Sequence, residues 1–204
     1  RVMLDGKTWQ IIQMPEVQSA FVAADTSDGA IRALVGGFDY NFNKFNHVTQ
    51  AWRQPGSSFK PFIYSSSLEK GLSPMTIIDD APISFDAGQT GGQAWEPKNY
   101  DGKYEGPMTM RKGLTKSKNM ISIRILQRVG AKYGQEYTTR FGFIPEKNPA
   151  YLTLALGAGA VTPMQMAGAY AVFANGGYKV NPYLITKITD VDGKVLAQAK
   201  PDLA

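Results

Sequence analysis

The sequence predicts an α+β fold, with antiparallel strand pairs toward its two ends and a mainly helical middle. Three observations carry this. Two short apolar runs at residues 18–24 and 30–35 flank Asp25-Thr26-Ser27-Asp28-Gly29, whose residues favour a turn, so they read as a hairpin. Helical patterns follow at about 57–69, 109–114, 119–129 and 162–173. Near the end, residues 183–188 and 194–196 surround Asp192-Gly193, a two-residue hairpin signal.

Residues 1–16 read as a lead-in segment, after which the first hairpin opens the folded body. A polar and aromatic loop spans 36–54, and Pro55-Gly56 then punctuates the chain before the first helix. Pro61 predicts a distorted first turn, because the residue before a proline resists helical geometry. Gly71 is placed to end that helix. Residues 73–108, rich in Gly, Pro and Asp, read as a long irregular connection. The helix at 162–173 has Pro163 suitably early and Gly176-Gly177 after its end. No internal repeat is evident.

Composition narrows the function classes. The chain has 204 residues and is 43% hydrophobic, enough for one globular domain with a sizeable core. No stretch approaches the roughly 20 apolar residues that span a bilayer. The first residues lack the succession of a targeting segment, and the chain reads as beginning inside a longer protein. With no Cys and one His, disulfides, thiolate sites and His-cluster metal sites are excluded, and a His-based triad is improbable. The net charge of +5 is spread among dispersed acids without a nucleic-acid-binding motif, which argues against nucleic acid as a partner.

A nucleophile would then be a serine activated by a desolvated lysine. Ser57-Ser58-Phe59-Lys60 offers one, since residues three apart share a helix face and the Lys60 amine reaches the Ser57 hydroxyl locally. To accept a proton, Lys60 must be neutral, which needs burial or a nearby cation. Ser67-Leu68-Glu69-Lys70 has the same spacing. Position separates the two: Ser57 opens its helix, where unpaired N–H groups favour a developing oxyanion, whereas Ser67 lies near the other end. By local pattern alone, a plain N-cap is the commoner reading of such a serine.

Ser117-Lys118-Asn119, between two helical stretches, is a second constellation. Ser117 could relay a proton, and the Asn119 amide could hold a peptide by one donor and one acceptor. A cap at Ser117 with a solvated Asn119 is the commoner alternative. Arg111, Lys112, Lys116 and Lys118 read as a solvated charged face rather than a carboxylate site. His47 is assigned no role. Trp95, Asn99 and Tyr100 either line a cleft for an extended peptide or pin their loop to the body.

The two motifs, in this order, resemble those of the penicillin-recognising serine transferases. The block from Arg53 to Phe62 is similar to the active-site block of class A penicillin-binding proteins. Asp28 to Gly37, Asn99-Tyr100-Asp101-Gly102 with Gly106-Pro107-Met108-Thr109, Leu154-Ala155-Leu156-Gly157 and Val161-Thr162-Pro163 running to Gly177 agree with it. The resemblance runs from about Glu16 to Leu196. It implies the penicillin-binding transpeptidase fold, an antiparallel sheet flanked by helices plus a mainly helical subdomain. It also implies a serine D,D-transpeptidase that crosslinks peptidoglycan stem peptides through an acyl-enzyme on Ser57, with Lys60 as base and no metal or organic cofactor. Ser117 would protonate the departing amine, Asn119 would bind the donor peptide or a β-lactam side chain, and the Ser57 N–H would supply half of the oxyanion hole. β-Lactams would be covalent inhibitors, and the setting would be the extracytoplasmic face of the bacterial membrane.

The resemblance has departures. The family's third motif, Lys-Thr/Ser-Gly on a strand, occurs nowhere in the chain. Residues 17–204 are therefore expected to be an incomplete transpeptidase domain whose remaining strands lie on another piece, and to fold poorly alone. The membrane anchor and glycosyltransferase domain of class A members would also lie elsewhere. His47 stands where relatives often have Arg, and Gly159-Ala160 where many have Ser-Glu. The alternatives are a serine β-lactamase, which needs a device to activate water, and a β-lactam sensor or scaffold that binds without turnover.

Overall fold

The computed structural model describes residues 2–11, 13, 15–87 and 93–200. Its strands form antiparallel pairs: β1 (Val2–Asp5) with β2 (Thr8–Ile11), β3 (Phe21–Ala24) with β4 (Ile31–Val35), β5 (Ile77–Asp80) with β6 (Gly106–Thr109), and β7 (Lys187–Thr189) with β8 (Val195–Gln198). Five α-helices among the described residues stand between or beside them: α1 (Lys60–Glu69), α2 (Met110–Thr115), α3 (Asn119–Val129), α4 (Ala131–Thr138) and α5 (Pro163–Ala174). This is an α+β arrangement.

The β3–β4 hairpin is where its apolar runs and turn residues place it, with Phe21 opposite Val35. The Asp25 carboxylate accepts from the Ser27 N–H and hydroxyl, and Gly29 takes φ +82. A side chain at Gly29 would put Cβ 2.6 Å from the Asn181 carbonyl oxygen, so the turn needs glycine on both counts. Ala30 in turn bridges Tyr183, which draws the 181–183 segment to this hairpin.

Three local expectations are corrected. The C-terminal turn is longer than the two residues Asp192-Gly193: Asp190 N–H donates to the Lys194 carbonyl, and Gly193 sits at φ +84 between them. That is the three-residue hairpin loop with glycine in the left-handed position. Residues 183–186 lie outside strand β7. The 73–108 connection is not wholly irregular, because its two ends pair as β5 and β6, with Ile78 opposite Met108. Helix α4 lies outside the predicted helical stretches, and β1–β2 falls in the expected lead-in segment.

Helix α1 begins as a 3-10 turn at Gly56–Phe59. The distorted first turn predicted from Pro61 is present, but Lys60 itself is helical at φ −54, ψ −42. The cause is the missing N–H of Pro61: no i+4 donor is available to the Ser57 carbonyl, which accepts from the Lys60 N–H instead. At the other end Gly71, at φ +84, closes the helix. Its N–H bonds the Leu68 carbonyl and the Leu72 N–H bonds that of Ser67, the paired bonds of a Schellman motif. Helix α5 opens with a capping box between Thr162 and Gln165.

The core gathers around α1. Phe59, Phe62 and Ile63 are fully buried with Met120, Ile121, Ile123, Ile125 and Leu126 of α3 and with Leu154. The Phe62 ring lies 4.9 Å from both Phe141 and Phe143 and 5.3 Å from Phe173. Each such side chain contributes about 1.5–3 kcal/mol on burial. Arg124, on the polar side of α3, donates to the carbonyls of Asp79 and Ala81 and so ties that helix to the β5 strand. The result is a firmly held α1–α3 pair, and the candidate site lies across their N-terminal ends.

Candidate active site

Ser57 sits in the 3-10 turn that leads into α1, and its side chain is exposed. Its hydroxyl makes no hydrogen bond among the described residues. The turn around it is held from several sides. Arg53 and Val161 exchange both backbone hydrogen bonds, at 2.9 and 3.0 Å, and Gln54 Nε2 donates to the Ala158 carbonyl. Ser58 Oγ donates to the Pro55 carbonyl and Tyr170 Oη to the Ser58 carbonyl, each at 2.8 Å. The Gly56 N–H donates to the Gly157 carbonyl. A Cβ on Gly157, itself at φ +66, would lie 2.2 Å from the Gly56 carbonyl oxygen. The Leu154-Ala155-Leu156-Gly157 segment therefore serves as a floor against which the Ser57 turn closes.

One turn further, Lys60 runs into the interior and is 1% exposed. Its Nζ donates to the Ser117 carbonyl at 2.6 Å, to Ser117 Oγ at 3.1 Å and to Asn119 Oδ1 at 2.7 Å. These bonds bring three of the four candidate residues onto one nitrogen, across 57 and 59 positions of sequence. Burial lowers the Lys60 pKa to about 8, which brings the free amine within reach at ordinary pH. The three acceptors suit the ammonium in the resting site, and burial opposes that charge.

Ser117 is the one non-glycine among the described residues at positive φ, +53. A non-glycine residue held there is strained by about 1–3 kcal/mol, and such strain persists where the surroundings over-determine it. The twist has a visible consequence: the Ser117 carbonyl and hydroxyl both face Lys60. Ser117 does not cap α3; Lys118 occupies the N-cap position without a side-chain cap. Nor is Asn119 a solvated amide, since its Nδ2 donates to the Lys98 carbonyl at 2.8 Å while its Oδ1 accepts from Lys60.

The expected solvated charge face needs correction at Lys118. Its side chain is only 2% exposed, and Nζ lies 3.0 Å from Asp101 Oδ2 and 3.3 Å from both Asp80 Oδ2 and Glu105 Oε1. Burial pushes its pKa down, but the hydrogen bonds to Asp101, Asp80 and Glu105 outweigh that and hold it above the ordinary lysine value. Lys112 and Lys116 remain at the surface and pair with Glu105, whose pKa falls to about 2, chiefly through the Lys116 hydrogen bond.

Asn99 belongs to the same network. It is 4% exposed, its Oδ1 accepts from the Asn119 N–H at 2.9 Å, and its Nδ2 donates to Asp80 Oδ1 at 2.6 Å. Trp95 stacks on Phe85 at 5.3 Å and pins the loop, whereas Tyr100 is fully exposed. Asn99 ties its loop to the body, one of the two roles the sequence left open for it, whereas the buried roles of Asp80 and Lys118 are not legible there. The signal available was weak: a lysine between two site residues must point the other way, toward whatever acids the fold supplies.

The second Ser-Lys pair is arranged differently. Ser67 is fully buried and its hydroxyl donates to the Tyr64 carbonyl at 2.6 Å, while Lys70 Nζ lies 4.0 Å over the Tyr133 ring. His47 Nδ1 is 2.8 Å from the Gly36 carbonyl oxygen.

Comparison with known proteins agrees with this layout. The family described as "Penicillin binding protein transpeptidase domain" matches residues 19–203. Penicillin-binding protein 1A of Neisseria flavescens is 53% identical over 204 residues, all of this chain and 26% of that protein. That of Pseudomonas aeruginosa is 50% identical over 197 residues, 97% of this chain and 24% of that protein. The chain thus spans about a quarter of the length of these curated relatives. Among solved structures, penicillin-binding protein 1A from Haemophilus influenzae superposes with a TM-score of 0.90 at 46% identity, covering 100% of this chain and 30% of that one. The PonA1 protein of Mycobacterium tuberculosis in complex with penicillin V gives 0.77 at 26% identity, covering 90% and 51%. A match that runs over nearly the whole chain in sequence, and over all of it in fold, leaves one conclusion: the chain belongs to the penicillin-binding protein transpeptidase domain family.

Proposed function

We propose that this chain carries the acylation machinery of a serine D,D-transpeptidase that crosslinks peptidoglycan stem peptides, with Ser57 as nucleophile. The observation that carries the reading is the convergence of Ser117 and Asn119 on the buried Lys60 amine, one turn along the chain from an exposed Ser57 whose hydroxyl makes no hydrogen bond among the described residues. Once neutral, Lys60 takes the Ser57 proton as Oγ attacks the carbonyl of the penultimate D-Ala. The C–N bond breaks, the terminal D-Ala leaves with a proton relayed through Ser117, and an ester on Ser57 remains. An amine from a neighbouring stem peptide then attacks the ester, forms the new amide and returns the proton to Ser57. Asn119 offers the donor peptide its amide, at the cost of its bond to Lys60 or Lys98.

Ser57 lies in the first turn of its helix, where N–H groups have no intrahelical partner, so its own N–H is a donor for the developing oxyanion. A β-lactam enters by the same route, its strained amide C–N bond opening in place of the peptide bond. The second oxyanion donor and the Lys-Thr/Ser-Gly strand belong, on this reading, to a part of the domain outside these residues. A membrane anchor belongs, on the same reading, to another part of the protein, and a peptidoglycan substrate puts the reaction on the extracytoplasmic face of the bacterial membrane.

The test is mass spectrometry of the complete protein after penicillin treatment, with peptide mapping. The expected result is one adduct on Ser57, slowly released, and none in Ser57→Ala. Labelling that persists in Ser57→Ala, or maps to Ser67, overturns the assignment, and rapid release by water points to a β-lactamase.

A further inference from the structure

We propose that Asp80, Asn99 and Lys118 form a positioning cradle that holds the Ser117–Asn119 turn, and through it the Lys60 amine, in reacting geometry. This rests on the transpeptidase reading above and adds to it three residues that contact no substrate there.

The turn alternates. Ser117 and Asn119 face Lys60, and Lys118 between them points back under the β5–β6 hairpin. Its Nζ also donates to the Lys103 carbonyl at 3.1 Å, so the ammonium is surrounded by Asp80, Asp101, Glu105 and a backbone oxygen. Asp80, at the end of β5, is fully buried and holds both arms of the cradle. Its Oδ2 pairs with Lys118 and accepts from the Glu105 N–H at 3.0 Å, and its Oδ1 accepts from Asn99 Nδ2. Asn99 then binds the Asn119 N–H at 2.9 Å and the Met120 N–H at 3.3 Å, the orphan donors at the start of α3.

One buried carboxylate thus grips the turn by a side chain at its middle and by a backbone N–H at its end. This is the over-determination that a strained Ser117 requires, with φ held at +53. It also explains why a buried charge is retained where an apolar side chain would cost less: the ion pair fixes register, and the apolar pair would not.

The test separates position from stability. Lys118→Met alone strands a buried carboxylate, so the informative variant is the double replacement Asp80→Asn with Lys118→Met in the complete protein. Acylation by a fluorescent penicillin is followed to saturation, which separates non-covalent binding from the covalent step, and folding is followed by circular dichroism. The folded double variant is expected to lose about 100-fold in the covalent rate constant, the scale of a misplaced reacting group, with little change in non-covalent binding. Lys118→Arg, which keeps the charge, is expected to recover most of that loss. Asn99→Ser leaves every charge in place and carries the test if the double variant does not fold, with a loss of the covalent step expected in the same direction. A folded double variant, or Asn99→Ser, that acylates at the unaltered rate overturns the cradle. Ser57→Ala run beside them distinguishes this from failure of the transpeptidase reading, since only the latter leaves that control labelled.

Discussion

The two ends of helix α1 carry the same four-residue spacing, once across its start and once across its end, and the two copies have different physical fates. Ser57 lies in a 3-10 turn with its hydroxyl exposed and unbonded, and Lys60 turns inward to meet Ser117 and Asn119. Ser67 is sealed in the core with its hydroxyl spent on the Tyr64 carbonyl, and Lys70 turns outward over Tyr133. The difference teaches that spacing alone brings two side chains to one helix face, whereas chemistry needs a free hydroxyl and a desolvated amine. The α3 start supplies the second condition, by presenting Ser117 and Asn119 to the Lys60 amine.

The strongest way to break the comparison is to replace each lysine by methionine, which fills similar space without charge. Lys60→Met is expected to slow penicillin acylation by about 10²–10⁴-fold, the range of a lost proton-transfer group, and Lys70→Met to leave it unchanged. Equal effects in a stopped-flow acylation assay would erase the distinction between the pairs.

A smaller effect comes from pH. Burial lowers Lys60 to about 8, so below that value the amine is mostly protonated and unable to accept the Ser57 proton. The acylation rate is expected to climb by about tenfold per pH unit below that value and to level off above it. A rate that stays flat across this range would remove Lys60 as the base.

The smallest effect sharpens the other side. Ser67→Ala removes one buried hydrogen bond within the helix, whose acceptor remains in the helical backbone. A loss of about 0.5–1.5 kcal/mol in denaturant unfolding is expected, with labelling of Ser57 intact. Abolished labelling in a folded Ser67→Ala protein would contradict the division drawn here.

What was legible in the chain followed from short-range rules. The β3–β4 hairpin, the glycine end of α1 and the Pro163 start of α5 each depend on neighbours within a turn or two. The pairing of β5 with β6 was not legible, because Ile78 and Met108 meet across a segment of Gly, Pro and Asp that carries no periodicity. Lys118 was misread for the same reason: in a run of four basic residues nothing local marks the one that will be buried. Its partners Asp80, Asp101 and Glu105 come from positions that converge only when the hairpin closes over the α3 start.

The sequence by itself determined the residue types, their order and the turn that leads from Ser57 into the helix at Lys60, since helical spacing and turn chemistry act within a few residues. Only the tertiary structure decided which Ser-Lys pair has an exposed hydroxyl, what meets the Lys60 amine and which lysine is buried. Burial and long-range contact set charge state and hydrogen bonding, and neither is a property of a segment alone.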